Sequence, residues 1–117
     1  MQPNTIKIDD VTYIREDMVK EKPPTDYKIV RTYSAGVFAG YIESRNGQEV
    51  VMRNARRIWY WEGAASLSQL AMTGTSKPEK CKFPETVDRV ELLQAIEILD
   101  VTEQAKKSIE SVKVWKQ

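Results

Sequence analysis

The chain has 117 residues, 41% hydrophobic and 30% charged, which fits one domain around one core. It holds one cysteine and no histidine, so no intrachain disulfide can form and the commonest general base and metal ligand are missing. The net charge of +1 excludes the broad basic excess of a non-specific duplex binder, and no apolar run approaches the roughly 20 residues that a spanning helix needs.

The elements read in chain order as follows. "IKIDDVTYIRED" alternates apolar and polar residues on either side of Asp9-Asp10, which predicts a small hairpin over residues 1–19. "KEKPPTD", 20–26, is polar and carries Pro23-Pro24, so it reads as a linker. Residues 27–61 read as an antiparallel meander. Tyr27, Ile29, Arg31 and Tyr33 share one strand face, and Lys28, Val30 and Thr32 the other. Ser34-Ala35-Gly36 makes a bulge or turn, Asn46-Gly47 is a strong hairpin signal, and the returning strand breaks near Asn54.

Residues 62–117 change pattern. Leu67, Leu70 and Ala71 have helical spacing, Ser66 and Gln69 have capping-box spacing, and Gly74 ends this helix over 64–73. "TSKPEKCKFPET" is a loop. "VDRVELLQAIEILDV" fits either helix or strand, with strand favoured over 95–101. A polar helix follows at about 102–110, which Thr102 can cap, and "VKVWKQ" ends the chain as a possible short strand. The expected fold is α+β: an antiparallel β-sheet, a meander of about five or six strands, with one or two short helices, in a single domain spanning 1–117. Two short helices would leave part of an apolar sheet face uncovered, so a homo-oligomer is expected.

The charge is unevenly spread. Residues 27–61 hold six basic and two acidic groups, net +4, while 1–26 hold four and six, net −2, and 62–117 eight and nine, net −1. The positive middle is mostly arginine, which suits a small anionic ligand. "RNARRIWYWEG" concentrates it: Arg53, Arg56 and Arg57 stand beside Trp59, Tyr60 and Trp61. As a strand, this run puts Arg57, Trp59 and Trp61 on one face and Arg56, Ile58 and Tyr60 on the other. Three readings of the Trp59/Trp61 face are open: core against the following helix, an oligomer interface, or a cationic aromatic shelf that stacks a base and forks arginine onto phosphate.

Other candidates carry less. Gly36 and Gly40 in "YSAGVFAG" read as turn geometry and relief of crowding, because no Gly-Lys-Ser/Thr follows to make a P-loop. Cys81 lies between Lys80 and Lys82, but without histidine no Cys-His pair exists, so it reads as an inert loop thiol. Asp9-Asp10 and Glu16-Asp17 have no metal-loop spacing, and no cofactor or metal is expected.

"VRTYSAGVFAGYIESRNGQEVVMRNARRIWYWEGAASLSQLAMTG", followed by "AIEILDVTEQA", resembles a family of small uncharacterised proteins encoded by tailed bacteriophages. The resemblance runs over roughly 28–106, and its most distinctive parts are "RTYSAG" and "NARRIWYWEGAASL". It implies a phage-encoded protein acting in the cytoplasm of an infected bacterium. "MQPNTIKIDDVTY" has no basic segment leading into an apolar one, which agrees with a cytoplasmic site. The expected function is a non-enzymatic accessory protein, in its sharpest form an oligomeric sponge for a nucleotide-type defence signal, with Arg53, Arg56 and Arg57 on phosphate and Trp59 or Trp61 on the base. The alternatives are a protein–protein module that inhibits or redirects a host enzyme and a minor virion or assembly component. Nucleic acid is disfavoured by the near-neutral charge, and a membrane by the missing apolar span.

Overall fold

A computed structural model describes residues 24–117. The hairpin expected over 1–19, and with it Asp9-Asp10 and Glu16-Asp17, lies outside the described residues. Five strands form one antiparallel sheet: β1 Pro24–Thr32, β2 Val37–Asn46, β3 Glu49–Arg57, β4 Val87–Leu92 and β5 Ala95–Thr102. Their order is β4-β3-β2-β1-β5. Helix α1, Leu67–Thr73, lies in the excursion between β3 and β4, and α2, Glu103–Ser111, follows β5. Pro78–Lys80 adds one 3-10 turn. No helix among the described residues is long and apolar enough to cross a membrane.

β4 and β5 are the two edges of the sheet, yet only Leu93-Gln94 separate them in sequence. The sheet must therefore curl until its edges meet at one end. Two backbone hydrogen bonds hold that closure: Ala95 N–H donates to Gln48 O at 2.9 Å, and Tyr33 N–H to Gln94 O at 2.9 Å. The tip of the β2–β3 hairpin, turned at Gly47 with φ 63°, is thus carried onto the start of β5. The inner face becomes a core of its own. Val30, Phe38, Val50, Met52 and Leu92 pack there, none more than 3% exposed. This is where the structure departs from the uncovered apolar face expected of a flat sheet. Curling buries that face within the chain.

The outer face is covered by the helices. Tyr27, Ile29 and Ala39 of the sheet meet Leu70 and Ala71 of α1, Ala105 and Ile109 of α2, and Phe83 from the loop. The expected caps are present. Ser66 Oγ accepts from Gln69 N–H, Gln69 Oε1 accepts from Ala65 N–H, and Gly74 at φ 80° ends α1. Thr102 Oγ1 accepts from Ala105 N–H to cap α2 and donates to Met72 O at 2.7 Å, so one hydroxyl starts one helix and pins the end of the other.

Three boundaries differ from the sequence pattern. β1 begins at Pro24, inside the predicted linker, because Thr25 Oγ1 donates to Val101 O and accepts from Tyr27 N–H, steering the chain alongside β5. Residues 87–92, ambiguous by periodicity, are strand, since β3 offers them a ladder. "VKVWKQ" contributes only a bridge between Phe83 and Val114.

Candidate functional site

The geometry of "RNARRIWYWEG" is set by one residue. Asn54 has φ 49°, a left-handed conformation that asparagine tolerates better than most side chains. It inserts one position into β3 and flips the alternation. Val50 and Met52 point inward before it, and Ala55 and Arg57 take the inner side after it, which sends Arg56 and Ile58 to the helix side. Gly40 faces this bulge. A Cβ there would lie 2.9 Å from Ala55 Cα, Arg53 O and Asn54 O, so glycine is needed for the close approach.

β3 stops at Arg57: Ile58 N–H makes one more bond to Val37 O of β2 at 2.8 Å, and the chain then leaves the sheet. "IWYW" is therefore not a continuation of the strand. Tyr60 instead pairs with Lys82. The β1–β2 turn sits beside this exit. Thr32 Oγ1 donates to Gly36 O and accepts from Ala35 N–H, and Gly36 has φ 99°. Between the turn and the departing chain is a depression of about 460 Å³, lined by Ser34, Ala35, Gly36, Arg57, Trp59 and Trp61 among others.

Of the five residues singled out from sequence, the structure brings together Arg57, Trp59 and Trp61. The Arg57 guanidinium lies 4.5 Å from the Phe38 ring centroid, and no carboxylate pairs with it among the described residues. Trp61 is half-buried against the outer core and donates Nε1–H to Ala64 O. Trp59 is 57% exposed and stacks on Trp115, with ring centroids 4.9 Å apart and planes 14° from parallel. Lys82 Nζ stands 5.6 Å from both of those rings.

Arg53 and Arg56 lie elsewhere. Arg53 is on the exposed outer surface, paired with Glu43, and that bond holds the Glu43 carboxyl below the usual carboxylate range. Arg56 is 5% exposed and spends three N–H groups on backbone carbonyls: Nε on Pro84 O, Nη1 on Ile109 O and Nη2 on Phe83 O. Burial lowers its pKa, with the Tyr27 phenol acting in the opposite direction, and no carboxylate pairs with it among the described residues. It is a tie between β3, the 83–84 segment and the end of α2.

Sequence reasoning missed Trp115 and Lys82. Trp115 does alternate with Val114 in "VKVWKQ", but nothing local says that the tail crosses to Trp59. Cys81 is buried, with Sγ 3.6 Å from Glu62 O and Lys77 O, in keeping with an inert loop thiol. Among the described residues no cluster of three or more Cys, Asp or Glu could hold a metal ion.

Fold and site together define a small α+β domain: a curled five-stranded sheet with a helical outer layer and a cationic, aromatic depression at one end. The chain belongs to the family described as Domain of unknown function (DUF6948), which matches residues 25–109. That span runs from the start of β1 into α2 and contains the whole depression except the Trp115 partner of Trp59. No curated protein and no solved structure matches the chain.

Proposed function

We propose that this protein is a non-enzymatic phage accessory protein of the infected bacterial cytoplasm, which binds a nucleotide-type host signal in the Arg57–Trp59–Trp61 depression. The observation that carries this reading is the placement of an unpaired Arg57 guanidinium beside an exposed indole and the Gly36 turn. A base would extend the Trp115–Trp59 stack by one ring, Arg57 would fork onto phosphate, and the backbone of the Ser34–Gly36 turn could approach the same oxygens. Guanidinium and indoles offer no general base, so the chemistry is retention rather than turnover. The likeness of "RTYSAG" and "NARRIWYWEGAASL" to small tailed-phage proteins supports the infected-cell setting; both strings border this depression.

Titration of the folded protein with cyclic and linear nucleotides, read by tryptophan fluorescence and calorimetry, tests the reading. Saturable quenching is expected with at least one of them. Trp59→Ala should weaken it by about tenfold or more, since stacking is worth about 1–3 kcal/mol per base. No binding by any nucleotide to folded protein would overturn it. The second reading is a protein–protein module, favoured by the joint exposure of Trp59, Tyr60 and Val114. Either a second copy of the chain or a host enzyme could be its partner. It predicts a stoichiometric partner that survives purification with the parent and is lost with Trp59→Ala.

A further inference from the structure

A separate cavity of about 320 Å³ opens between the outer face of the sheet and the end of α2, lined by Tyr27, Tyr41, Asn54, Arg56, Thr86 and Glu110. Its floor is built from buried groups: Tyr27 is 4% and Arg56 5% exposed. A guanidinium has five N–H donors. Three of those on Arg56 are used by Pro84 O, Ile109 O and Phe83 O, which leaves two without a partner among the described residues. The Tyr27 hydroxyl also has no hydrogen-bond partner there. Burial, reinforced by the charge of Glu110, holds the Tyr27 phenol well above its usual pKa, so it remains a donor.

The floor thus presents three unused donors and one positive charge with no carboxylate of its own. Buried donors without acceptors are rare, and an arrangement that leaves several converging on a cavity is one that a bound acceptor completes. The rim carries both signs. Glu110 is exposed and lines the cavity together with Asn54, the left-handed residue of the β3 bulge. Lys106, one turn earlier on α2, is held over the Tyr41 ring at 5.4 Å.

We propose that this cavity binds a small amphoteric carboxylate, an amino acid: its carboxylate is received by Arg56 and the Tyr27 hydroxyl, and the ammonium group at its other end meets Glu110. A dianionic phosphate suits the site less well, because the single buried cation shares the cavity with Glu110. The inference is independent of the Arg57–Trp59–Trp61 reading, since the two depressions share no lining residue.

Full-length protein labelled with nitrogen-15 would be titrated with α-, β- and γ-amino acids, with succinate and with inorganic phosphate, following the Arg56 Nε–H resonance. A saturable shift is expected with at least one amino acid, at lower concentration than with succinate or phosphate. Tyr27→Phe keeps the ring in the core and should weaken that binding by about tenfold, the loss typical of one hydrogen bond to a charged group. Its melting temperature should stay level or rise, because an unpartnered buried hydroxyl is removed. Glu110→Gln should weaken amino-acid binding and leave or strengthen succinate. No saturable shift with any amino acid, tighter binding of phosphate or succinate, or equal amino-acid affinity in Tyr27→Phe would each overturn the proposal.

Discussion

The two faces of one sheet bury their residues by different means. The inner face closes on itself and holds Val30, Phe38, Val50, Met52 and Leu92 with no buried charge among them. The outer face is closed by long excursions of the chain, the 58–86 segment and the C-terminal helix. There the packing admits Arg56, the Tyr27 hydroxyl and the Thr102 hydroxyl. Consecutive residues show the contrast. Arg56 goes outward into a layer that buries it, and Arg57 inward to a rim that leaves it free. A face that curls onto itself can bury its side chains without a charge, with Thr32 the buried polar residue beside Ala95. A face assembled from separate elements has seams between them, and polar groups that bridge those seams create cavities.

The largest expected effect tests that contrast directly. Arg56→Ala removes three hydrogen bonds: Pro84 O loses its donor, while Phe83 O and Ile109 O keep the backbone donors Trp115 N–H and Val112 N–H. With about 1–3 kcal/mol for the carbonyl left unsatisfied, about 1 kcal/mol for each of the other two bonds, and less than full additivity, a loss of about 3 kcal/mol is expected in denaturant unfolding. Arg57→Ala should cost only about 0.5–1 kcal/mol, the worth of an exposed cation–π contact with Phe38. Equal losses at the two positions would erase the distinction between the faces.

How much of this was legible beforehand depends on how local the cause is. Caps at Ser66, Thr102 and Gly74, the turn at Asn46-Gly47 and the break near Asn54 were readable, because each rests on residues within one turn of the feature. The grouping of Arg57 with Trp59 and Trp61 was also readable, although strand alternation gave it for a reason that fails beyond Arg57, where β3 ends. The curling of the sheet onto its own edges was not readable. It depends on β4 and β5 pairing with different partners on either side of Leu93-Gln94, which is a long-range fact. For the same reason the separation of Arg56 from Arg57 could be guessed, but not the fate of Arg56, whose three acceptors come from residues 83, 84 and 109.

The seam between β2 and β3 gives the next effect. At Gly40→Ala the new methyl would meet backbone atoms of Arg53, Asn54 and Ala55 at 2.9 Å, and backbone cannot step aside as a side chain can. Overpacking of this kind costs about 1–3 kcal/mol. Gly47→Ala makes a control, since open space surrounds its Cβ position and only the left-handed backbone at φ 63° resists, at about 1–2 kcal/mol. Thermal unfolding separates the two mechanisms when Gly47→Asn is added. Asparagine tolerates that conformation and should recover much of the loss at residue 47, whereas Gly40→Asn should be worse than Gly40→Ala.

The smallest effect sets a third arginine against Arg56. Arg53 pairs with Glu43 on the exposed part of the outer face, and the pairing lowers the Glu43 pKa. A carboxyl whose folded pKa is depressed adds stability above its unfolded value and loses it as pH falls through the folded value. Arg53→Gln should therefore lower the melting temperature slightly at neutral pH, with the deficit shrinking as acid protonates Glu43 and also shrinking in high salt. The Arg56→Ala deficit should survive both treatments, because its acceptors are carbonyls that neither titrate nor release counterions. If the Arg53→Gln deficit also persisted in acid and salt, the aliphatic stem of Arg53 would be packing on the sheet, and the charge pair would be incidental to it.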